Sequence, residues 1–163
     1  MLSKSRLPSP AAFYQPRHYR AEESIGYLMR RLLISVAQAT DRKLQPHGVS
    51  YAQWAPLLKI GLDEARTVAE LARALQMDAG AMTRLLDRLE AKGFLKRVRS
   101  NEDRRVVQLE LTPEGKQVVE EVPVVLCHVM NAHLAGFSKA EFEALRVYLL
   151  RMLDNAGSLR EAD

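Results

Sequence analysis

At 163 residues, 47% hydrophobic and 27% charged, the chain has the composition of one folded domain, or of a small module with an added association layer. Its net charge of +4 permits nucleic acid as a partner without requiring it. The only cysteine, Cys127, excludes an intrachain disulfide framework, no apolar run nears the roughly 20 residues that span a bilayer, and the N-terminus lacks the apolar centre of a secretory leader; a cytoplasmic location is expected.

Residues 1–20 carry Pro8, Pro10 and Pro16, which forbid a continuous helix. They read either as a mobile arm or, given Phe13, Tyr14 and Tyr19, as an arm that packs on a partner subunit. From Glu22 to about Leu44 the pattern is helical. Ile25, Leu28, Leu32 and Val36 keep one face, and Leu33, Ala37 and Leu44 make a second, so the helix needs cover on two sides.

Ser50 to Gln53 has the form of a capping box and opens a helix through Trp54, Leu57, Leu58 and Ile60, in which Pro56 predicts a kink or a tightened first turn. Thr67 to Glu70 is a second capping box, starting a short helix that buries Val68, Leu71, Ala72 and Leu75. Asp78 is the N-cap of a helix over 79–92 with Met82, Leu85, Leu86 and Leu89 inward, ended by Gly93. Phe94 to Arg99 and Val106 to Leu111 then read as two strands joined by SNEDRR. Thr112 caps a following helix with Pro113 in its first turn and Pro123 as a kink. Ser138 to Glu141 is another capping box, starting a helix that carries Phe142, Leu145, Leu149, Met152 and Leu153.

Two short helices followed at once by a basic hairpin set a presentable helix beside a charged loop. That is the layout of a winged helix-turn-helix, which lays its second helix in the major groove of DNA. The charge distribution agrees: Arg84, Arg88, Lys92, Lys96, Arg97, Arg99, Arg104 and Arg105 face only Asp87, Glu90, Glu102 and Asp103 between positions 84 and 105. On the helix over 79–92, Ala79, Gly80 and Ala81 are small enough for deep entry, while the Thr83 hydroxyl and the Arg84 and Arg88 guanidinia suit base edges and phosphates. At the hairpin tip, adjacent Arg104 and Arg105 repel each other unless an anion receives them. Asp103 is suited to brace Arg105 and aim it at a minor groove. Arg99 and Asn101, flanking that tip, complete the expected DNA-facing set.

TVAELARAL, DAGAMTRLLDRLEAKGFLKRV and NEDRRVVQLELTPEGK together resemble the MarR family of transcriptional regulators, over a stretch from about Glu22 to Leu153. The D-x-R wing followed by Leu-Thr at the strand end falls on Asp103, Arg105, Leu111 and Thr112. The resemblance implies a mainly α fold with a small β-hairpin wing: a winged helix-turn-helix lobe plus a helical dimerisation layer. It divides the chain into an arm over 1–21 and one domain over 22–163, with the DNA-binding lobe at 50–112 and dimerisation helices at 22–47 and 113–157. Contact with double-stranded DNA is implied for Ala81, Thr83, Arg84, Arg88, Arg104 and Arg105.

The function expected is a homodimeric repressor of a pseudo-palindromic operator, released by a small aromatic carboxylate of benzoate, salicylate, cinnamate or nicotinate type. Such an effector needs rings for stacking and a guanidinium for its acid, which nominates His18, Tyr27, Arg30, Arg31, Tyr51 and Trp54. Redox sensing through Cys127 is the alternative, although a thiol set mid-helix among valines and leucines reads as buried and inert. A protein-binding winged helix is another. His128 and His133 lie five apart rather than at the i, i+4 spacing of a helical metal pair, so no metal and no cofactor are expected. Neither a Gly-rich phosphate loop nor a nucleophile elbow is present, so the chain does not read as an enzyme.

Overall fold

A computed structural model describes residues 10–99 and 105–160. Its elements in order are α1 (Ile25–Leu44), α2 (Tyr51–Gly61), α3 (Val68–Ala74), α4 (Ala79–Ala91), β1 (Leu95–Arg99), β2 (Val107–Leu111), α5 (Pro113–His133) and α6 (Lys139–Arg160), with short 3-10 turns at Pro16–His18, Ala21–Glu23 and Gln45–His47. The fold is mainly helical with one two-stranded antiparallel hairpin. Internal contacts divide the chain into two units, one of Met1–Arg30 with Leu134–Asp163 and one of Arg31–His133.

The unit of residues 31–133 holds the core. Leu44, Leu57, Leu71, Met82, Leu85, Leu86, Leu89, Leu95, Leu109, Val118 and Val122 are buried together, with Trp54, Phe94 and Leu111 packed against them. Each helix of the lobe starts where its cap dictates. The Gln53 side chain accepts from the Ser50 N–H at 3.2 Å, and the Asp41 carboxylate accepts from the Tyr51 N–H at 2.6 Å. Thr67 and Glu70 close a reciprocal capping box at 2.9 and 3.2 Å, and the same Glu70 carboxylate accepts from the Arg66 N–H at 2.7 Å. Those bonds to backbone N–H groups, that from Arg66 first, hold the Glu70 carboxyl below its ordinary range.

α2 runs through Pro56 without interruption; its first turn includes a tight bond from the Gln53 N–H to the Ser50 carbonyl at 2.9 Å. α5 likewise continues through Pro123. Between α3 and α4 the chain reverses through Gln76 at φ +51°, a left-handed position held by a non-glycine. The hairpin pairs Leu95 with Leu111 and Arg99 with Val107. A further bond, from the Leu109 N–H to the Arg66 carbonyl at 2.7 Å, fastens its second strand to the segment ahead of α3.

Where β1 meets α5 the backbones touch. Thr112 Oγ1 donates to the Gly93 carbonyl at 2.6 Å and accepts from the Gly115 N–H at 3.0 Å, while the Thr112 N–H donates to the Phe94 carbonyl at 3.1 Å. Gly115 faces that carbonyl so closely that a Cβ there would lie 1.8 Å from the Phe94 oxygen. Gly93 itself turns left-handed at φ +77°, as the end of a helix requires.

In the other unit the arm is anchored to its own chain. The Tyr14 hydroxyl accepts from the Ile25 N–H at 2.9 Å, and the Tyr14 and Tyr19 rings meet edge to face at 5.8 Å. The Ser24 side chain adds an N-cap bond from the Tyr27 N–H at 3.3 Å. The helical pattern expected from Glu22 therefore begins at Ile25, after a 3-10 turn and this cap. Ile25, Leu28, Phe142, Tyr148, Met152 and Leu153 are exposed, and none of the described side chains of α6 is buried. Leu32 and Leu33, on the face of α1 that needs cover, are exposed as well.

Candidate nucleic-acid interface

α4 is built as a helix that sends one face inward. Met82, Leu85, Leu86 and Leu89 are buried, whereas Ala79, Gly80, Thr83, Arg84, Asp87 and Arg88 are exposed and Ala81 is half-buried. The Asp78 carboxylate caps it from the Ala81 N–H at 2.9 Å. Thirteen residues give a rod of about 20 Å. Gly80, Arg84 and Arg88 recur at i, i+4 and so form one stripe. A Cβ at Gly80 would stand 3.1 Å from the Asp78 carboxylate that caps the helix and in ordinary contact, at 3.6 Å, with an Arg84 nitrogen.

The Thr83 hydroxyl donates to the Ala79 carbonyl at 2.9 Å. Its proton is thereby committed inside the helix, and only its lone pairs and methyl group remain to meet another molecule. This narrows the role expected of Thr83, since a phosphate oxygen needs a donor.

The acidic side chains of α4 are both held by one residue that the sequence did not single out. Arg97 in β1 donates to Asp87 at 2.7 Å and makes a short pair with Glu90, whose carboxylate also accepts from the Arg97 N–H at 3.0 Å. Partial burial works against the Arg97 charge, but the hydrogen bonds it donates to Asp87 and Glu90 outweigh it and hold the group more firmly protonated than usual. The signal was present in the strand pattern: Arg97 shares a face with buried Leu95, so it points at the helix instead of the solvent. Across the hairpin, Lys96 pairs with Glu110 at 2.9 Å.

Arg99 and Arg105 are exposed at the two ends of the hairpin loop. Asn101, Asp103 and Arg104 lie outside the described residues, and with them the expected brace from Asp103 to Arg105. Lys92 follows α4 and donates to the Gly48 carbonyl at 2.7 Å and to Gln53 at 3.0 Å, tying the end of α4 to the start of α2.

The residues expected to hold an effector fall in both units. His18, Tyr27 and Arg30 belong to the first. His18 lines a cavity of about 240 Å³ with Tyr14 and Tyr19, and Tyr27 and Arg30 line another of about 600 Å³ with Tyr14, Tyr19 and Met152. Arg31, Tyr51 and Trp54 belong to the second, where the Tyr51 and Trp54 rings meet edge to face at 6.4 Å. The indole N–H of Trp54 is buried with no acceptor among the described residues. Cys127 is exposed on α5, contrary to the buried position its valine neighbours suggested, because the long helix leaves that side uncovered. His133 is occupied in a bond with Ser35 at 3.0 Å and another to the Val129 carbonyl at 2.8 Å. The described residues contain no group of three potential metal ligands, and none of their helices is long and apolar enough to cross a membrane.

Comparison with known proteins gives this geometry a context. The family model described as "MarR family" matches residues 49–107. The multiple antibiotic resistance protein MarR of Escherichia coli (strain K12) is 33% identical over 125 residues, covering 74% of this chain and 87% of that protein. Among solved structures, the S. aureus MepR–DNA complex superposes with a TM-score of 0.73 at 25% identity, covering 83% of this chain and 98% of that one. The Bordetella bronchiseptica regulator BpsR, whose DNA binding is regulated by 6-hydroxynicotinic acid, superposes with a TM-score of 0.70 at 26% identity, covering 83% of this chain and 96% of that one.

Proposed function

Because the chain belongs to the MarR family and is thus a DNA-binding transcription regulator and not an enzyme, we propose that it acts as a homodimeric repressor that lays α4 in the major groove and its hairpin in the flanking minor groove. The observation that carries this reading is the charge balance on α4. Arg97 pairs with both Asp87 and Glu90 and offsets one of their two negative charges, so Arg84 and Arg88 leave this face with a surplus of positive charge beside exposed Arg99 and Arg105. A bidentate arginine–guanine pair contributes about 1–3 kcal/mol of discrimination.

The dimer is supported by the exposed apolar side chains of α1 and α6, which in a lone chain would leave a large hydrophobic surface in water. Two-fold symmetry would set half-sites about 34 Å apart on a pseudo-palindrome. The effector proposed is a small aromatic carboxylate. Its support is the Tyr51–Trp54 ring pair with an indole donor that lacks an acceptor, together with the regulation of the similar BpsR by a hydroxynicotinic acid. Arg31 is proposed to meet the carboxylate. Ligand and DNA would then favour different states of one population and weaken each other by the same factor.

The test is fluorescence anisotropy of the protein on the DNA upstream of its own gene, across a salt series and with and without salicylate or 6-hydroxynicotinate. Expected are tight binding that beats random DNA, a steep fall of affinity with salt from counterion release, and release by one of the acids. Binding equal to that of random duplexes from every promoter tried, with a flat salt dependence, would favour a protein-binding winged helix instead. Heat-free titrations with all the aromatic acids would remove the effector while leaving the DNA reading in place.

A further inference from the structure

Arg97 does more than cancel charge. We propose that it is a positioning residue for DNA recognition, locking the wing to the recognition helix so that Arg105 and α4 meet the duplex at one fixed spacing. The inference rests on the reading that both elements touch DNA.

Three donors of Arg97 go to one helix. Its N–H and one guanidinium nitrogen reach the two oxygens of Glu90, and a second guanidinium nitrogen reaches Asp87. Asp87 and Glu90 lie three apart on α4, so they present neighbouring carboxylates to one planar fork. The backbone bond matters as much as the side-chain pair, because it holds the strand itself against the helix and not merely the tip of a flexible side chain. The Arg97–Glu90 half of the brace, with side chains 26% and 36% exposed, is better shielded from solvent than the Lys96–Glu110 pair at 57% and 49%, while Asp87 is 55% exposed.

The brace lies at a mechanical pivot. Arg97 faces Leu109 across the hairpin, and Leu109 is buried and fastened on its other side to the Arg66 carbonyl. Beyond this row only two more residue pairs precede the loop, the last being Arg99 with Val107. Arg105 is four residues from Leu109, at most about 13 Å of chain, so a tilt of about 10° at the pivot moves it by about 2 Å. A displacement of that size takes a guanidinium out of hydrogen-bonding range of its target. Two of the five guanidinium N–H donors of Arg97 are committed to Glu90 and Asp87, and this account needs no direct contact between Arg97 and DNA.

The test is a double-mutant cycle on a duplex selected in vitro for binding by the full-length protein. Arg105→Ala, Arg97→Met and the double variant are titrated by anisotropy, with melting temperatures recorded for each. Arg97→Met is expected to weaken binding about tenfold or more, the loss that one misplaced arginine contact causes. Arg105→Ala should cost several-fold less in the Arg97→Met background than in the wild-type protein, because the wing is then already out of register. Should Arg97→Met fail to fold, the Asp87→Ala/Glu90→Ala variant removes every acceptor of the brace while keeping the arginine, and takes its place in the cycle. Additive losses would mean that Arg97 does not act through the wing and would overturn the proposal, with the wing's own contact intact. No effect of Arg105→Ala in the wild-type protein would instead sink the wing contact, and the proposal with it.

Discussion

Gly115→Ala tests whether the hairpin and α5 form one packed joint. A Cβ at this position would sit 1.8 Å from the Phe94 carbonyl oxygen and 2.9 Å from its carbon, and both are backbone atoms that cannot swing aside. The first turn of α5 must therefore retreat by more than an ångström. That retreat strains or breaks the three bonds around Thr112, to Gly93, to Phe94 and from Gly115. Each contributes about 1 kcal/mol net, and overpacking adds a further 1–3 kcal/mol or so. Against this, alanine gains about 1 kcal/mol over glycine inside a helix. The balance is a destabilisation of roughly 3–5 kcal/mol, or about 6–20 °C in melting temperature for a chain of this size. Differential scanning calorimetry at matched protein concentration reads it directly. A variant that melts at or above the wild-type temperature would show that helix propensity dominates and that the close approach is not a constraint.

Arg105→Ala should weaken operator binding by a factor of about 5 to 100 with little change in melting temperature, since an exposed turn residue contributes little to stability; anisotropy alongside calorimetry separates the two. Leu32→Ala should raise the dimer dissociation constant by about tenfold or more in sedimentation equilibrium, because Leu32 is 49% exposed in the single chain and its loss is felt only where a partner covers it. Glu70 has its carboxyl lowered below the ordinary 4.5 by the Arg66 N–H and the Thr67 bonds. Its stabilising effect is thus present above pH 4.5 and lost as the pH falls below that value; Glu70→Gln should flatten this acid limb of a melting-temperature profile between pH 5 and 3.

What sequence could reveal here was set by the range of the interactions. The start of α4 was readable because Asp78 caps it locally and its apolar side chains repeat at helical spacing; its end fell at Ala91, one residue short of expectation, with Lys92 as the cap. The same holds for the capping boxes at Thr67 and Ser138. The brace at Arg97 was missed because it joins a strand to the preceding helix: alternation from Leu95 marks Arg97 as turning inward, but not that Asp87 and Glu90 lie beneath it. Gly115 was missed for a similar reason: the sequence places it in a helix, and only the approach of Phe94 makes a side chain impossible there. On α5, Val118, Val122 and Val129 are buried whereas Val124 is 65% exposed, so a helix apolar on several sides did not disclose that Cys127 faces outward. The arm held aromatic residues that suggested packing, but that Tyr14 would cap α1 of its own chain depends on a turn the prolines alone do not specify.

The α6 helix runs for 22 residues without one buried side chain among those described. A helix in that condition draws its stability from whatever docks on it, since propensity alone leaves isolated helices marginal in water. Were the docking surface a second copy, as proposed, folding of this part of the molecule would be a reaction of higher order, completed only as far as the amount of protein allows. The abundance of the regulator in the cell would then be a variable in its own folding, each newly made chain helping to complete another.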